Sequence, residues 1–426
     1  MKKLTVVLAV FLIFSIISPM FSFAGGSDLP ENSPIPDGTE NTTSPDTPTP
    51  DGSENTPSPD TPGNSQISDA FAEFTAESDA RSLILIEAET GTVLYEKNAD
   101  APLPPASVTK VMTMLLIMEA IDSGRITYEE TVTVSENAAS MGGSQVFLEP
   151  GEQMSVSDLL KCVVVASAND ACVALAEHIS GSEESFVALM NKRAAELGMT
   201  HTTFENTNGL DDTAVNHAIS ARDIAIMSRE LITKHPKILE YTSIWMDSIR
   251  GGAFGLTNTN RLIRFYPGAN GLKTGSTSKA KFCISASAER NGMQLICVVM
   301  GASTRDSRNE IAKKLFDFGF ANFTYESFRP SEPREIEVIG GEENTLPLIC
   351  ESYHTVTDKT NSGKIKEEIL LPETVKAPIK AGDVIGTARY SIGDEVLAEI
   401  PIKAEKDIPR IGFFSLLKRL FNDFLY

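Results

Sequence analysis

Metal-ligand spacing is missing from this 426-residue chain. The five histidines (His178, His201, His217, His235, His354) form no H-E-x-x-H or comparable cluster, which disfavours a metallopeptidase. The five cysteines (Cys162, Cys172, Cys283, Cys297, Cys350) are odd in number and form no C-x-x-C pair. Neither a zinc site nor a disulfide scaffold is indicated, and they read as small packed hydrophobes. Positive charge is scarce too: 37 Lys and Arg stand against 58 Asp and Glu, a net charge of −21. Nucleic-acid binding rests on Lys and Arg neutralising phosphates, so no nucleic-acid partner is expected. Anionic lipid is also repelled, so any membrane contact must be mainly hydrophobic. Hydrophobic residues at 41% and charged residues at 22% are enough for a real core, which excludes full disorder.

Both ends have their own character. Residues 1–24 read as a secretory signal: Lys2 and Lys3, an apolar run from Leu4 to Ile17, then the small-x-small site Ser22-Phe23-Ala24. No Cys precedes Cys162, which excludes a lipoprotein signal. Residues 25–66 hold eight acids, no Lys or Arg, and a 14-residue tandem repeat from Pro36 to Gly63. With almost nothing apolar to bury, this reads as a disordered linker. At the other end, residues 407–426 read as an amphipathic helix. Phe413, Phe414, Leu416, Leu417, Leu420, Phe421, Phe424 and Leu425 share one face, and Lys418, Arg419, Asn422 and Asp423 the other. About 15 residues are too few to span a bilayer of ~30 Å, so an interfacial anchor is expected, with docking on the core as the alternative. Together with export, this places the protein on the outer face of a membrane.

Between the ends, SLILIEAETGTVLYEKN predicts strand, turn, strand, and VTKVMTMLLIMEAIDSG a helix buried on most sides. Several helices follow over 155–235. KFCISASA and MQLICVVMG read as a hairpin turning at Glu289-Arg290-Asn291-Gly292, closed by the helix EIAKKLFDFGFANF. Strands at both ends of a helical insert predict an α/β (α+β) catalytic domain over 67–327, an antiparallel sheet covered by helices. Short β-like runs after Pro330 predict a small all-β domain over 328–406.

Three short motifs occur in order: Ser107-Val108-Thr109-Lys110, Ser167-Ala168-Asn169 and Lys273-Thr274-Gly275. Ser107 follows a Pro-Pro loop at the start of the buried helix, where unpaired N–H groups favour developing negative charge. Lys110 lies one turn on. Burial, the positive helix end and a second cation should lower its pKa and free it as a base for the Ser107 hydroxyl. Ser167 is a candidate proton relay, and the Asn169 amide a candidate for holding a substrate carbonyl and orienting Lys110. Lys273 and Thr274 offer charge and a hydroxyl to a substrate carboxylate. Gly275 leaves room for a peptide to approach as an added strand. The N–H groups of Ser107 and Ser276 are candidates for an oxyanion hole. Each motif alone also has a plain reading: a helix cap at Ser107 or Ser167, a solvated Lys110, a turn at Gly275.

Taken together, the motifs resemble those of penicillin-binding proteins and serine β-lactamases. The longer matches PPASVTKVMT, ASANDACVALAEHI, LGMTHTTFENTNGL and RFYPGANGLKTGST resemble the low-molecular-mass D-alanyl-D-alanine carboxypeptidases. The resemblance implies a penicillin-binding/β-lactamase-like transpeptidase fold over roughly 70–325 and that family's C-terminal β domain over 330–405. It implies Ser107 as acylated nucleophile, Lys110 as base, Ser167 and Asn169 as the second element, and Lys273 and Thr274 in recognition. Arg308 in TRDSRNE matches the family arginine that holds the terminal carboxylate. Ser276 stands where many members have His. Peptidoglycan stem peptides are the implied substrate and β-lactams the implied covalent inhibitors, with no metal or organic cofactor. Against a β-lactamase stand Ser-Ala-Asn in place of Ser-Asp-Asn, and the want of a Glu-bearing loop before Lys273. A Ser-His-Asp hydrolase lacks a suitably placed His, and a non-catalytic wall-binding module would not need every catalytic residue type.

Overall fold

A computed structural model describes residues 78–211, 214–330 and 335–425. The expected signal and repeat linker lie outside these residues. Five strands form one antiparallel sheet: β1 (Ser82–Glu87), β2 (Val93–Lys97), β3 (Ala269–Thr277), β4 (Lys281–Arg290) and β5 (Met293–Ala302), in the order β2-β1-β5-β4-β3. β1 pairs with β5, setting Leu83 opposite Val299, so the helices between β2 and β3 are looped out of the sheet as an insert. β1 reads as an unbroken apolar run because the sheet is covered on both faces. Ile84 and Ile86 enter the larger core with α1 (Lys110–Asp122), α2 (Asn169–Ser180), α3 (Glu183–Glu196) and α4 (Ala221–Lys234). Leu83 and Leu85 enter a second core with Ile311, Leu315 and Phe316 of α5 (Arg305–Asn322).

The β4–β5 turn is tighter than expected. Glu289 and Arg290 pair with Gln294 and Met293, leaving Asn291-Gly292 at φ 53° and 77° as a two-residue turn. Positive φ at both positions matches the right-handed twist of the flanking strands.

The order of strands puts β3, which carries Lys273-Thr274-Gly275, at the outer edge of the sheet. The helix carrying Lys110 lies against the larger core: every residue from Lys110 to Met118 is buried. Ser107 stands one turn earlier, in a tight 3-10 turn over Ala106–Thr109.

Beyond α5, Phe323–Phe328 pairs with Tyr353–Asp358, and six further strands form a second sheet around Leu346, Ile379, Tyr390 and Ile402. This is the expected small all-β domain. The chain ends in α6 (Phe413–Leu425), whose Arg419 donates to Asn344 Oδ1 (2.6 Å) and to the Glu342 carbonyl (2.8 Å). Phe413, Phe414, Leu416, Leu417, Leu420 and Phe421 remain exposed, Phe414 by 83%. The polar face of α6, not its apolar face, therefore meets the β domain. The side chains of Phe424 and Leu425 are outside the described set.

Candidate active site

Lys110 is fully buried and has three neighbours. Its Nζ donates to Asn169 Oδ1 at 2.6 Å and to the Asn208 carbonyl at 2.8 Å, and lies 3.0 Å from Ser107 Oγ. The first two partners are carbonyl oxygens and can only accept. They take two N–H bonds and leave the third position of the nitrogen facing Ser107. In the neutral amine that position is the lone pair, aimed at the hydroxyl proton. Burial pushes Lys110 down to about 8, against a weaker upward pull from Cys172 and Asp170. Desolvation, more than the expected positive helix end, frees the amine.

The second motif is built by an irregular turn. Cys162–Ala166 winds as a π-turn and delivers Ser167 in the left-handed region at φ 63° and ψ 29°, just before α2. Such turns recur at functional sites because they aim a side chain that a regular helix would not. Ser167 lines the cleft together with Ser107. Asn169 is held on three sides. Its Oδ1 faces Lys110, its Nδ2 donates to the Gly142 carbonyl (2.7 Å), and its N–H donates to the Ser144 carbonyl (2.7 Å). The side chain is buried and orients Lys110, and its Nδ2 carries a second N–H that the Gly142 carbonyl does not use. Asp170 accepts from the N–H groups of Val146 and Leu148, which pins the loop that presents Ser144.

In the third motif, Thr274 lines the cleft and donates to Thr259 Oγ1 at 2.8 Å. Lys273 lies behind it, buried, donating to the Thr274 carbonyl (2.9 Å). Burial, then repulsion from Lys110 and Arg308, push Lys273 well below its usual range. Gly275 has a packing task that the sequence did not indicate. A Cβ there would stand 2.8 Å from the Ser107 N, 2.9 Å from the Val108 N and 2.9 Å from the Pro105 O. Its bareness lets β3 close onto the turn that carries Ser107. Ser276 and Arg308 line the same cleft, a space of about 190 Å³. The Arg308 guanidinium donates to Asn309 Oδ1 (2.9 Å), and burial followed by Arg305 holds it down to about 10.

The three motifs thus meet at one place, though Lys273 and Asn169 sit behind the cleft wall. Ser144, Thr259 and Arg305 also line it, and none was singled out by the sequence. The loop Asn206-Thr207-Asn208-Gly209 was quoted only as part of a longer match. It supplies the Asn208 carbonyl and is fastened by Asn206 Oδ1, which accepts from the Gly209 N–H at 2.7 Å. His217, which the sequence placed in no catalytic context, braces the turn below Ser107. Its Nδ1 accepts from the Glu205 N–H (3.0 Å), and its Nε2 contacts Thr109 Oγ1 at 2.8 Å. Burial pushes it down to about 4, so it is neutral. The five cysteines are unpaired, and Cys172 is packed in α2 with its thiol pushed up by burial.

This architecture, with a Ser–Lys pair at the tip of a buried helix beside an edge strand, defines a serine peptidase of the penicillin-binding kind. Residues 69–304 match the family of D-alanyl-D-alanine carboxypeptidases, and residues 328–410 match the penicillin-binding protein 5 C-terminal domain. The chain belongs to the D-alanyl-D-alanine carboxypeptidase family. It is 46% identical to D-alanyl-D-alanine carboxypeptidase DacF of Bacillus subtilis over 81% of this chain and 90% of that one. It is 36% identical to DacC of Escherichia coli over 81% and 88%. Among solved structures it is similar to penicillin binding protein 5 from Haemophilus influenzae, with TM-score 0.69 and 33% identity, covering 78% of this chain and 98% of that one. Penicillin-binding protein D2 from Listeria monocytogenes in its ampicillin-bound form matches with TM-score 0.53 and 33% identity, covering 57% and 98%.

Proposed function

We propose that this D-alanyl-D-alanine carboxypeptidase cleaves the terminal D-Ala from peptidoglycan pentapeptide stems through a Ser107 acyl-enzyme. The observation that carries the residue assignment is the set of three neighbours around Lys110. With two N–H bonds held by Asn169 and Asn208, the amine accepts the Ser107 proton as Oγ bonds to the penultimate carbonyl carbon. The peptide C–N bond then breaks, and the departing D-Ala amine takes the proton from Lys110, with Ser167 placed in the cleft to relay it. Water then attacks the ester carbonyl and gives a proton to Lys110, the acyl C–Oγ bond breaks to release the shortened peptide acid, and Lys110 returns the proton to Ser107. The Ser107 and Ser276 N–H groups are assigned to the developing oxyanion. Thr274 and Arg308 in the cleft, with Lys273 behind, are assigned to the terminal carboxylate. β3, the edge strand beside Ser107, is assigned to pair with the stem peptide.

Incubation with diacyl-L-Lys-D-Ala-D-Ala is expected to yield free D-Ala, and penicillin to yield a long-lived adduct on the tryptic peptide containing Ser107. Rapid turnover of that adduct would favour a β-lactamase. Peptide binding without D-Ala release would favour a non-catalytic wall-binding module.

The location is part of the same proposal: export by the signal over 1–24, and attachment to the outer face of a membrane through α6. The exposed Phe and Leu side chains of α6 and the docking of Arg419 on the β domain support it. Among the described residues no helix is long and apolar enough to cross a membrane, so α6 would lie in the interface. The protein is expected to co-sediment with phosphatidylcholine vesicles, and a chain ending at Ile411 to stay in the supernatant. Equal sedimentation of the two would overturn the anchor.

A further inference from the structure

Arg305 is the first residue of α5, one turn before Arg308, and both side chains line the cleft. Residues three apart on a helix share a face, so the two guanidinium groups act on the same space. They differ in setting. Arg308 is buried and fixed by Asn309, whereas Arg305 is exposed. Among the described residues no acidic side chain pairs with Arg305, and the lining of the cleft contains no carboxylate. The nearby acids are committed elsewhere. Asp79 accepts from the hydroxyls of Ser303 and Ser307, and Asp306 lines a separate groove with Arg261 and Phe265. Arg305 also repels Arg308, which is part of what lowers the latter. Asp306 offsets part of this repulsion at Arg308, but among the described residues no carboxylate pairs with either guanidinium, and a ligand that brings negative charge relieves the rest.

One carboxylate, that of a departing D-Ala, is matched by Arg308 and Thr274. A second cation on the same helix, beside the first, calls for a second anion on the same side of the scissile bond. We infer that Arg305 is a specificity-determining residue that receives a further carboxylate carried by the leaving residue, so that the cleft accepts a dicarboxylic D-amino acid after the scissile bond as well as D-Ala. The inference rests on the assignment of Ser107 and Arg308 given above. The reaction is unchanged: the same C–N bond is hydrolysed, and the leaving amine carries one more acidic group.

The test compares diacyl-L-Lys-D-Ala-D-Ala with diacyl-L-Lys-D-Ala-D-Glu on the full chain and on Arg305→Gln and Arg305→Lys. The wild-type protein is expected to cleave both. In Arg305→Gln the ratio of kcat/KM for the D-Glu peptide over the D-Ala peptide should fall about fivefold, the size expected for a partly exposed charge pair. The loss should appear in KM, be partly restored in Arg305→Lys, and shrink as salt is raised. A ratio unchanged by Arg305→Gln, or a wild-type protein that cleaves the D-Ala peptide but not the D-Glu peptide, would overturn the inference and leave the Ser107 assignment standing. A wild-type protein inert on both would overturn the assignment, and the inference with it.

Discussion

Ser107→Ala is expected to release no D-Ala above background and to take no penicilloyl group, while keeping the thermal stability of the parent. Lys110→Met is the sharper probe. Methionine keeps the unbranched stem inside the core but removes the amine, so Ser107 loses its proton acceptor. A drop in kcat/KM of about a thousandfold is expected, within the range for general-base catalysis. Asn169 Oδ1 and the Asn208 carbonyl both lose their donor, at a cost of about 1–3 kcal/mol for each buried group left unpaired. Release from burying an amine held below its ordinary range offsets part of this. The pH profile separates the catalytic loss from the structural one. In the parent, the amine must be uncharged to accept a proton, and burial holds it at about 8. The free-enzyme kcat/KM should therefore rise with pH, level off above about 8, and fall as pH drops below it. Residual activity in Lys110→Met should lack that inflection. Survival of the inflection, or activity within tenfold of the parent, would remove Lys110 from the role of base.

Gly209→Ala is expected to lower both stability and turnover sharply. Gly209 sits at φ +85°, and a Cβ there would fall 1.9 Å from the Ala106 carbonyl oxygen and 2.8 Å from Thr109 Oγ1. The first obstacle is backbone and cannot rotate away. It belongs to the turn that carries Ser107, while the preceding Asn208 carbonyl holds Lys110. One methyl group therefore pushes the hydroxyl and the amine apart. A loss of about 3 kcal/mol or more is expected from strain and overpacking together. Displacement of about 1 Å at the reacting groups should cost on the order of a hundredfold in kcat. Gly151→Ala is the matched control. Its φ is +81°, but nothing lies within 4 Å of the added carbon, so only the backbone term of about 1 kcal/mol remains. Similar melting curves for the two variants would show that the contact with Ala106 is not what requires glycine.

The sheet and the three motifs were legible because each leaves a local mark. Apolar runs bounded by turns announced β1, β4 and β5, and the near-absence of a polar face announced that α1 is buried. Ser107 and Lys110 were readable from spacing along one helix. Contacts made by backbone atoms were not. Nothing in the letters Asn208-Gly209 says that a carbonyl will cap an amine 98 positions away. Ser144 and Thr259 are common residues in loops without a pattern, and only tertiary packing brings them to the cleft. Gly275 shows a subtler limit. The sequence indicated that bareness was needed there, but that the chain's own backbone also requires it depended on what stood 3 Å away. Asn169 was read as serving substrate and lysine alike, and its fastening through one amide N–H to the Gly142 carbonyl could not be read from the sequence.

Once Ser107 is esterified its oxygen has no hydrogen left to offer, yet the two carbonyls still grip the amine from behind. The free electron pair of Lys110 then has no hydrogen from Ser107 to face and is open to an incoming water. The clamp that prepares the first half of the cycle so leaves the amine ready for the second, with no additional residue brought in.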